Sequence, residues 1–155
     1  MDKTRNSYNP KSNLGILISL NCVLPLLIGG LIYVLFRPLT LKMFNWFEYI
    51  GLLGSILEMR SAFQNYILFP DWFYYALPDG LWTYSFTTSF ILIWRHSSSL
   101  KYWLMIPLSL SIIPEILQYF NLLTGTFDIN DLFLQIFGFF LSILFFNKEN
   151  SKILK

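Results

Sequence analysis

Charge is scarce in this chain: of its 155 residues, 13% are Asp, Glu, Lys or Arg, about half the share in an average soluble domain. There is one cysteine, Cys22, and one histidine, His96. A lone cysteine has no intrachain disulfide partner. One thiol and one imidazole also fall short of a zinc or haem ligand set, so no metal and no cofactor are expected. Missing too are a Gly-rich phosphate loop and any Gly-x-Ser-x-Gly context around Ser97, Ser98 and Ser99, which read with His96 as a solvated loop. The basic residues are scattered rather than gathered into a stripe, which excludes nucleic acid as the expected partner. Without internal repeats, low-complexity tracts or Gly/Ser linkers, residues 1–155 read as a single domain.

What is present is apolar and aromatic. Hydrophobic residues make up 55% of the chain and aromatic residues 19%, with 16 Phe, 9 Tyr and 5 Trp. At 1.5 Å per residue, a helix of about 20 apolar residues crosses a ~30 Å hydrocarbon layer. Four runs approach this length: residues 14–36, 77–94, 102–120 and 129–146. The first follows a basic leader (Lys3, Arg5, Lys11) like that of a signal peptide. Its apolar stretch is longer than the usual h-region and no small-x-small site follows, so it reads as a retained anchor. Residues 44–57 are apolar too, but are short for a span and contain Glu48. They predict a short interfacial or re-entrant helix within a long non-cytoplasmic segment. The fold class expected is therefore an all-α membrane protein of four transmembrane helices.

Basic residues orient it. With four spans and both termini cytoplasmic, Lys3, Arg5, Lys11, Arg95, Lys101, Lys148, Lys152 and Lys155 lie inside and only Arg37, Lys42 and Arg60 outside, in keeping with the positive-inside rule. A fifth span at 44–57 would reverse that balance. The four-span register also brings Trp46, Trp72, Tyr74, Tyr75 and Trp82 to the outer boundary and Trp94, Tyr102 and Trp103 to the inner one, as aromatic belts.

Most carboxylates then fall on the outer side. Glu115 lies within the third span, and an ionisable residue there costs a few kcal/mol unless it faces protein or water. Helical spacing puts Ser111, Glu115 and Gln118 on one stripe, and Pro114 leaves the carbonyl of Leu110 without its helical partner. The alternative is a shallow Glu115 that simply reaches water. At 100° per residue, Asp128, Asp131, Gln135, Gly138 and Ser142 share an arc of about 80° on the fourth span, with Gly138 and Ser142 suited to close helix contact. Capping competes as an explanation for Asp128 and Asp131 but accounts poorly for Gln135. Asp79, in the turn Leu77-Pro78-Asp79-Gly80, suits the positive end of the second span and opens at the same boundary. Arg60 lies on that side as well. The candidate ligand-binding residues are thus Glu115, Gln118, Asp128, Asp131, Gln135, Asp79 and Arg60, with Glu115, Asp128 and Asp131 the candidates for any catalytic role.

Residues 107–144 resemble the VanZ-like membrane proteins, whose signature is Glu-x-x-Gln on one span followed by Arg-x-x-Asp-x-x-Asp and Asn-x-x-Gly on the next. The corresponding residues here are Glu115 and Gln118, then Asp128 and Asp131, then Gln135 and Gly138. Two positions depart: Gly125 stands where the family has Arg, and Gln135 where it has Asn. Arg60 or Arg37 are the candidates to replace the missing cation. The resemblance implies a protein of the bacterial cell envelope and cell membrane, associated for the family's named member with resistance to the glycopeptide teicoplanin. It implies neither a reaction nor a ligand. Three roles remain open: binding an envelope lipid or a lipid-linked cell-wall precursor through the outer carboxylate pocket; acid/base or metal-assisted catalysis within the membrane; and a structural subunit glued by interhelical hydrogen bonds. Membrane lipid is the expected partner in the first, and the oligomeric state is left open.

Overall fold

The computed structural model describes residues 16–64 and 69–153. The basic leader (Lys3, Arg5, Lys11), the expected start of the first span at Leu14, and Lys155 lie outside the described residues. Within them the chain is all helical, with no strand.

The first helix, α1 (Ile16–Phe36), is continuous but takes a π turn over Ser19–Val23. The turn immediately precedes Pro25, whose ring nitrogen offers no donor to the preceding turn; the Leu24 amide instead reaches back to the carbonyl of Ser19. Pro38 ends α1 by forcing Arg37 into extended backbone (φ −70°, ψ 152°). Two short helices follow, α2 (Lys42–Tyr49) and α3 (Leu53–Gln64). They correct the expectation of a single helix over residues 44–57. Gly51, at φ 76°, closes α2 with a Schellman cap in which Leu52 donates to Phe47 (2.8 Å) and Gly51 to Glu48 (3.0 Å). The apolar pattern runs through the break; the glycine makes it.

A one-turn helix α4 (Asp71–Tyr75) leads into α5 (Leu77–Trp94), followed by α6 (Leu100–Tyr119) and α7 (Ile129–Ile153). Three helical stretches are long and apolar enough to cross a membrane: Ile16–Phe36, Leu100–Tyr119 and Ile129–Asn147. Most of their large apolar side chains, among them Leu27, Leu110, Phe133 and Leu144, are exposed on the outside of the bundle.

Helix α5 is the hub, packed against α1, α6 and α7. Its interior is polar and small: Pro78, Gly80, Thr83, Ser85, Thr87 and Thr88 are all buried. The hydroxyls are tolerated because nearly all have partners. Thr83 donates to the carbonyl of Asp79 (2.9 Å), Ser89 to that of Ser85 (2.9 Å) and Ser85 to that of Cys22, while Thr88 and Ser142 share a hydrogen bond across α5 and α7 (2.8 Å). Small residues bring backbones close: a Cβ on Gly138 would run into the carbonyl oxygen of Gly80, and one on Gly80 would sit 2.9 Å from that of Leu134. Gly29 similarly lies against Trp82 and Pro78, so its role is close packing between α1 and α5.

Candidate functional site: a carboxylate-lined cavity

The antiparallel order of the long helices gathers the end of α1, the starts of α5 and α7 and the end of α6 at one end of the bundle. There they enclose a cavity of about 980 Å³. Each polar side chain reaches it through local chain chemistry.

Arg37 is fixed at the mouth by the extended backbone before Pro38. Its guanidinium donates to the carbonyl of Tyr75 (2.9 Å), pairs with Asp79 (3.6 Å) and lies over the rings of Tyr33 and Tyr75, 4.9 and 5.2 Å from their centroids. Asp79 stands in the first turn of α5, just after Pro78 at the helix start. Glu115 and Gln118 come from the last turns of α6, below Pro114 and one turn beyond Ser111, which hydrogen-bonds Thr83 on α5 (2.9 Å). Helix α6 ends in a second Schellman cap: Asn121 takes φ 57°, and Leu122 donates to Leu117 (2.8 Å).

Asp128 caps α7 as the sequence allows, accepting from the Asn130 amide at 2.8 Å. It also lines the cavity, so capping is part of its role and not all of it. No capping box forms. The Asp128 amide faces the Glu115 carboxyl, which also meets the Gln135 side chain, and Asp131 Oδ1 is left buried without a partner.

Around the cavity the structure therefore brings together Glu115, Gln118, Asp128, Asp131, Gln135 and Asp79. They are electrostatic neighbours: Asp131 feels Asp79, Glu115 and Asp128 as like charges and Arg37 as the opposing one. Arg60 stands apart. It is buried on α3, donates to the carbonyl of Val34 and lies over Phe44, holding α3 to α1 rather than lining the cavity. The cation at the site is Arg37. Its signal in the sequence was its place directly at the end of an apolar run before a proline, level with Asp79, whereas Arg60 lies in the second of the two short helices that follow.

Gly125 also lines the cavity, at φ 138°. A Cβ there would meet Gln118 Nε2 at 2.5 Å, so Gln118 occupies the space that a side chain at 125 would need. Sequence reasoning missed the deeper wall: Ser85, Phe86 and Ser89 on α5, Leu26 on α1 and Leu110 on α6. The hydroxyl-rich face of α5 was the available signal. From Asp79 to Ser89 the cavity follows α5 for about 15 Å at 1.5 Å per residue. Leu26 on α1, Phe86 on α5 and Leu110 on α6 line the cavity and are exposed, and among the described residues α1 and α6 share no extended interface, so the cavity opens sideways between them.

The polar lining is not satisfied from within. Glu115 and Gln135, 6% and 7% exposed, leave Oε2 and Oε1 respectively without a hydrogen-bond partner, as do Asp131 at Oδ1 and Arg37 at Nε. Buried polar atoms are nearly always paired, and each exception calls for a reason. Among the described residues no three His, Cys, Asp or Glu side chains group closely enough to hold a metal ion.

Fold and cavity define an all-helical protein with three membrane-length apolar helices and an acidic, laterally open cavity at one end. Comparison with family models, with curated proteins and with solved structures finds no match in any of the three.

Proposed function

We propose that this chain is a VanZ-like protein of the bacterial cell envelope that crosses the membrane four times, both termini cytoplasmic, and binds the head of an envelope lipid or lipid-linked precursor in its outward-facing cavity. The observation that carries the reading is the set of buried, unpartnered polar atoms on Glu115, Asp131, Gln135 and Arg37 around one laterally open space. A purely structural polar stripe would pair its own groups, as Thr88 and Ser142 do. Here each of these side chains, even where another of its atoms has a partner, keeps one buried polar atom without any, in the arrangement of a site awaiting a ligand.

The fourth span in this reading is α5. Its hydropathy is lowered by hydroxyls that face other helices or the cavity, while Ile93 is exposed on its outer side. The motif residues that carry the family resemblance all border the cavity except Gly138, which abuts α5. Arg37 supplies the guanidinium that Gly125 lacks.

Two experiments test this. Glu115→Gln and Asp131→Asn, expressed in a teicoplanin-susceptible bacterium, should reach wild-type membrane abundance yet lose the tolerance conferred by the parent chain. Retained tolerance in both variants refutes the pocket. For topology, Leu122→Cys is exposed at the cavity end and should react with a membrane-impermeant maleimide from outside intact cells, whereas Cys22 is buried. Protection at position 122 reverses the orientation.

A further inference from the structure

The unpartnered atoms of the cavity specify more than the presence of a ligand. Three of the four are acceptors on three different residues: Glu115 Oε2, Asp131 Oδ1 and Gln135 Oε1. The only donor among them is Arg37 Nε, whose guanidinium is already committed to Asp79, Tyr75 and two aromatic rings. Arg37 pairs with Asp79 and is the one basic side chain among the lining residues, so the four carboxylates Asp79, Glu115, Asp128 and Asp131 share a single cation. A phosphate entering this space would bring acceptors to acceptors and negative charge to negative charge. A protonated primary amine brings the converse: one positive charge and three N–H donors on a single atom.

The rest of the cavity fits what such an amine would be attached to. Below the carboxylates the wall carries apolar Leu26, Phe86 and Leu110 beside the opening between α1 and α6, with the hydroxyls of Ser85 and Ser89 among them on α5. We propose that the cavity binds the primary ammonium head of an amphiphile, with –NH3+ taken among Glu115, Asp131 and Gln135 and the hydrocarbon part leaving sideways toward lipid. The proposal rests on the reading of the cavity as a ligand site and narrows its ligand to one chemical class.

The test is native mass spectrometry of the purified full chain released from dodecyl maltoside micelles, titrated with four probes. Tetradecylamine carries the charge, the donors and the chain; tetradecyltrimethylammonium keeps charge and chain without a donor; tetradecyl phosphate reverses the charge; ethanolamine removes the chain. Hydrogen bonds to charged groups are worth about 1.5–3 kcal/mol, and about 1.4 kcal/mol is tenfold in affinity. Tetradecylamine should therefore bind about tenfold or more tightly than each of the other three, and the Glu115→Gln/Asp131→Asn double variant should lose that preference. Should the double variant not fold, Asp131→Asn alone, at the start of α7, should reduce the preference for the amine over the trimethylammonium probe.

Equal binding of the amine, the trimethylammonium and the phosphate overturns the amine proposal while leaving a ligand site. Ethanolamine binding as tightly as tetradecylamine overturns the amphiphile and leaves a free amine as the ligand. No binding by any probe overturns the ligand-site reading itself.

Discussion

Helix α5 meets polar neighbours on two sides and treats them in opposite ways. Toward α7 the surfaces are closed: Gly80 and Gly138 let the backbones touch, and Thr88 and Ser142 satisfy one another. Thr87 departs from this, since its buried hydroxyl has no partner. Where the end of α6 and the first turns of α7 meet it beside α1, the same helix borders an open cavity in which Glu115 of α6 and Asp131 and Gln135 of α7 leave acceptors free. In an apolar solvent the hydrophobic effect does not hold helices together, so close packing and interhelical hydrogen bonds must. The contrast therefore separates a side built for cohesion from a side built to accept something else, and substitutions on each should fail in different ways.

The largest effect is expected at the closed side. Gly138→Leu must push α7 off α5, because the obstacle is the Gly80 backbone carbonyl and not a side chain that can rotate. Overpacking costs about 1–3 kcal/mol and occasionally more, and a backbone obstacle that cannot rotate away puts this site at the upper end. Little folded protein should survive detergent extraction by size-exclusion chromatography. Gly30→Ala is the matching control: a Cβ there meets nothing within 4 Å, and its elution should equal wild type. Equal behaviour of the two variants would dissolve the distinction between the sides.

An intermediate effect is expected at Gly125, on the open side. Gly125→Arg restores the residue type of the family motif but meets two separate obstacles: a backbone at φ 138° and the Gln118 side chain. Backbone strain of this sort costs about 1–3 kcal/mol. The melting temperature followed by circular dichroism should fall for Gly125→Arg and for Gly125→Ala alike. Adding Gln118→Ala should recover the steric part only. Full recovery would mean that the backbone at 125 relaxes freely, and that Arg37 is not the sole route to a cation here.

These sites also show which parts of the molecule could be read from the chain. The long helices lie close to where the apolar runs place them, because run length and the Pro38, Pro78 and Asn121 signals are local. Helical spacing put Glu115 with Gln118 and Asp128 with Asp131 and Gln135, since that too is a property of single helices. The break at Gly51 was hidden beneath a continuous apolar pattern. The place of Arg37 at the end of an apolar run was visible, but the exclusion of Arg60 depends on how α2 and α3 fold back on α1, which no local pattern encodes. The lateral opening was likewise illegible, being a contact that two helices fail to make.

The smallest effect concerns the hydrogen bond between Thr88 and Ser142. Ser142→Ala deprives the Thr88 hydroxyl of its partner in a fully buried setting, and interhelical hydrogen bonds of this kind average about 0.6 kcal/mol. A small drop in melting temperature is therefore expected. Thr88→Val combined with Ser142→Ala removes donor and acceptor together and should recover most of it, because the main penalty is the group left unpaired. The same cycle drawn between Glu115 and Gln135 should come out differently if the cavity is a site rather than a seam. Glu115 Oε2 and Gln135 Oε1 already lack partners, and glutamine at 115 keeps a carbonyl oxygen for the Asp128 amide and the Gln135 side chain, so Glu115→Gln should leave the melting temperature of the ligand-free protein near wild type. A loss there larger than that of Ser142→Ala would make Glu115 a structural tie and erase the difference between the two sides of α5.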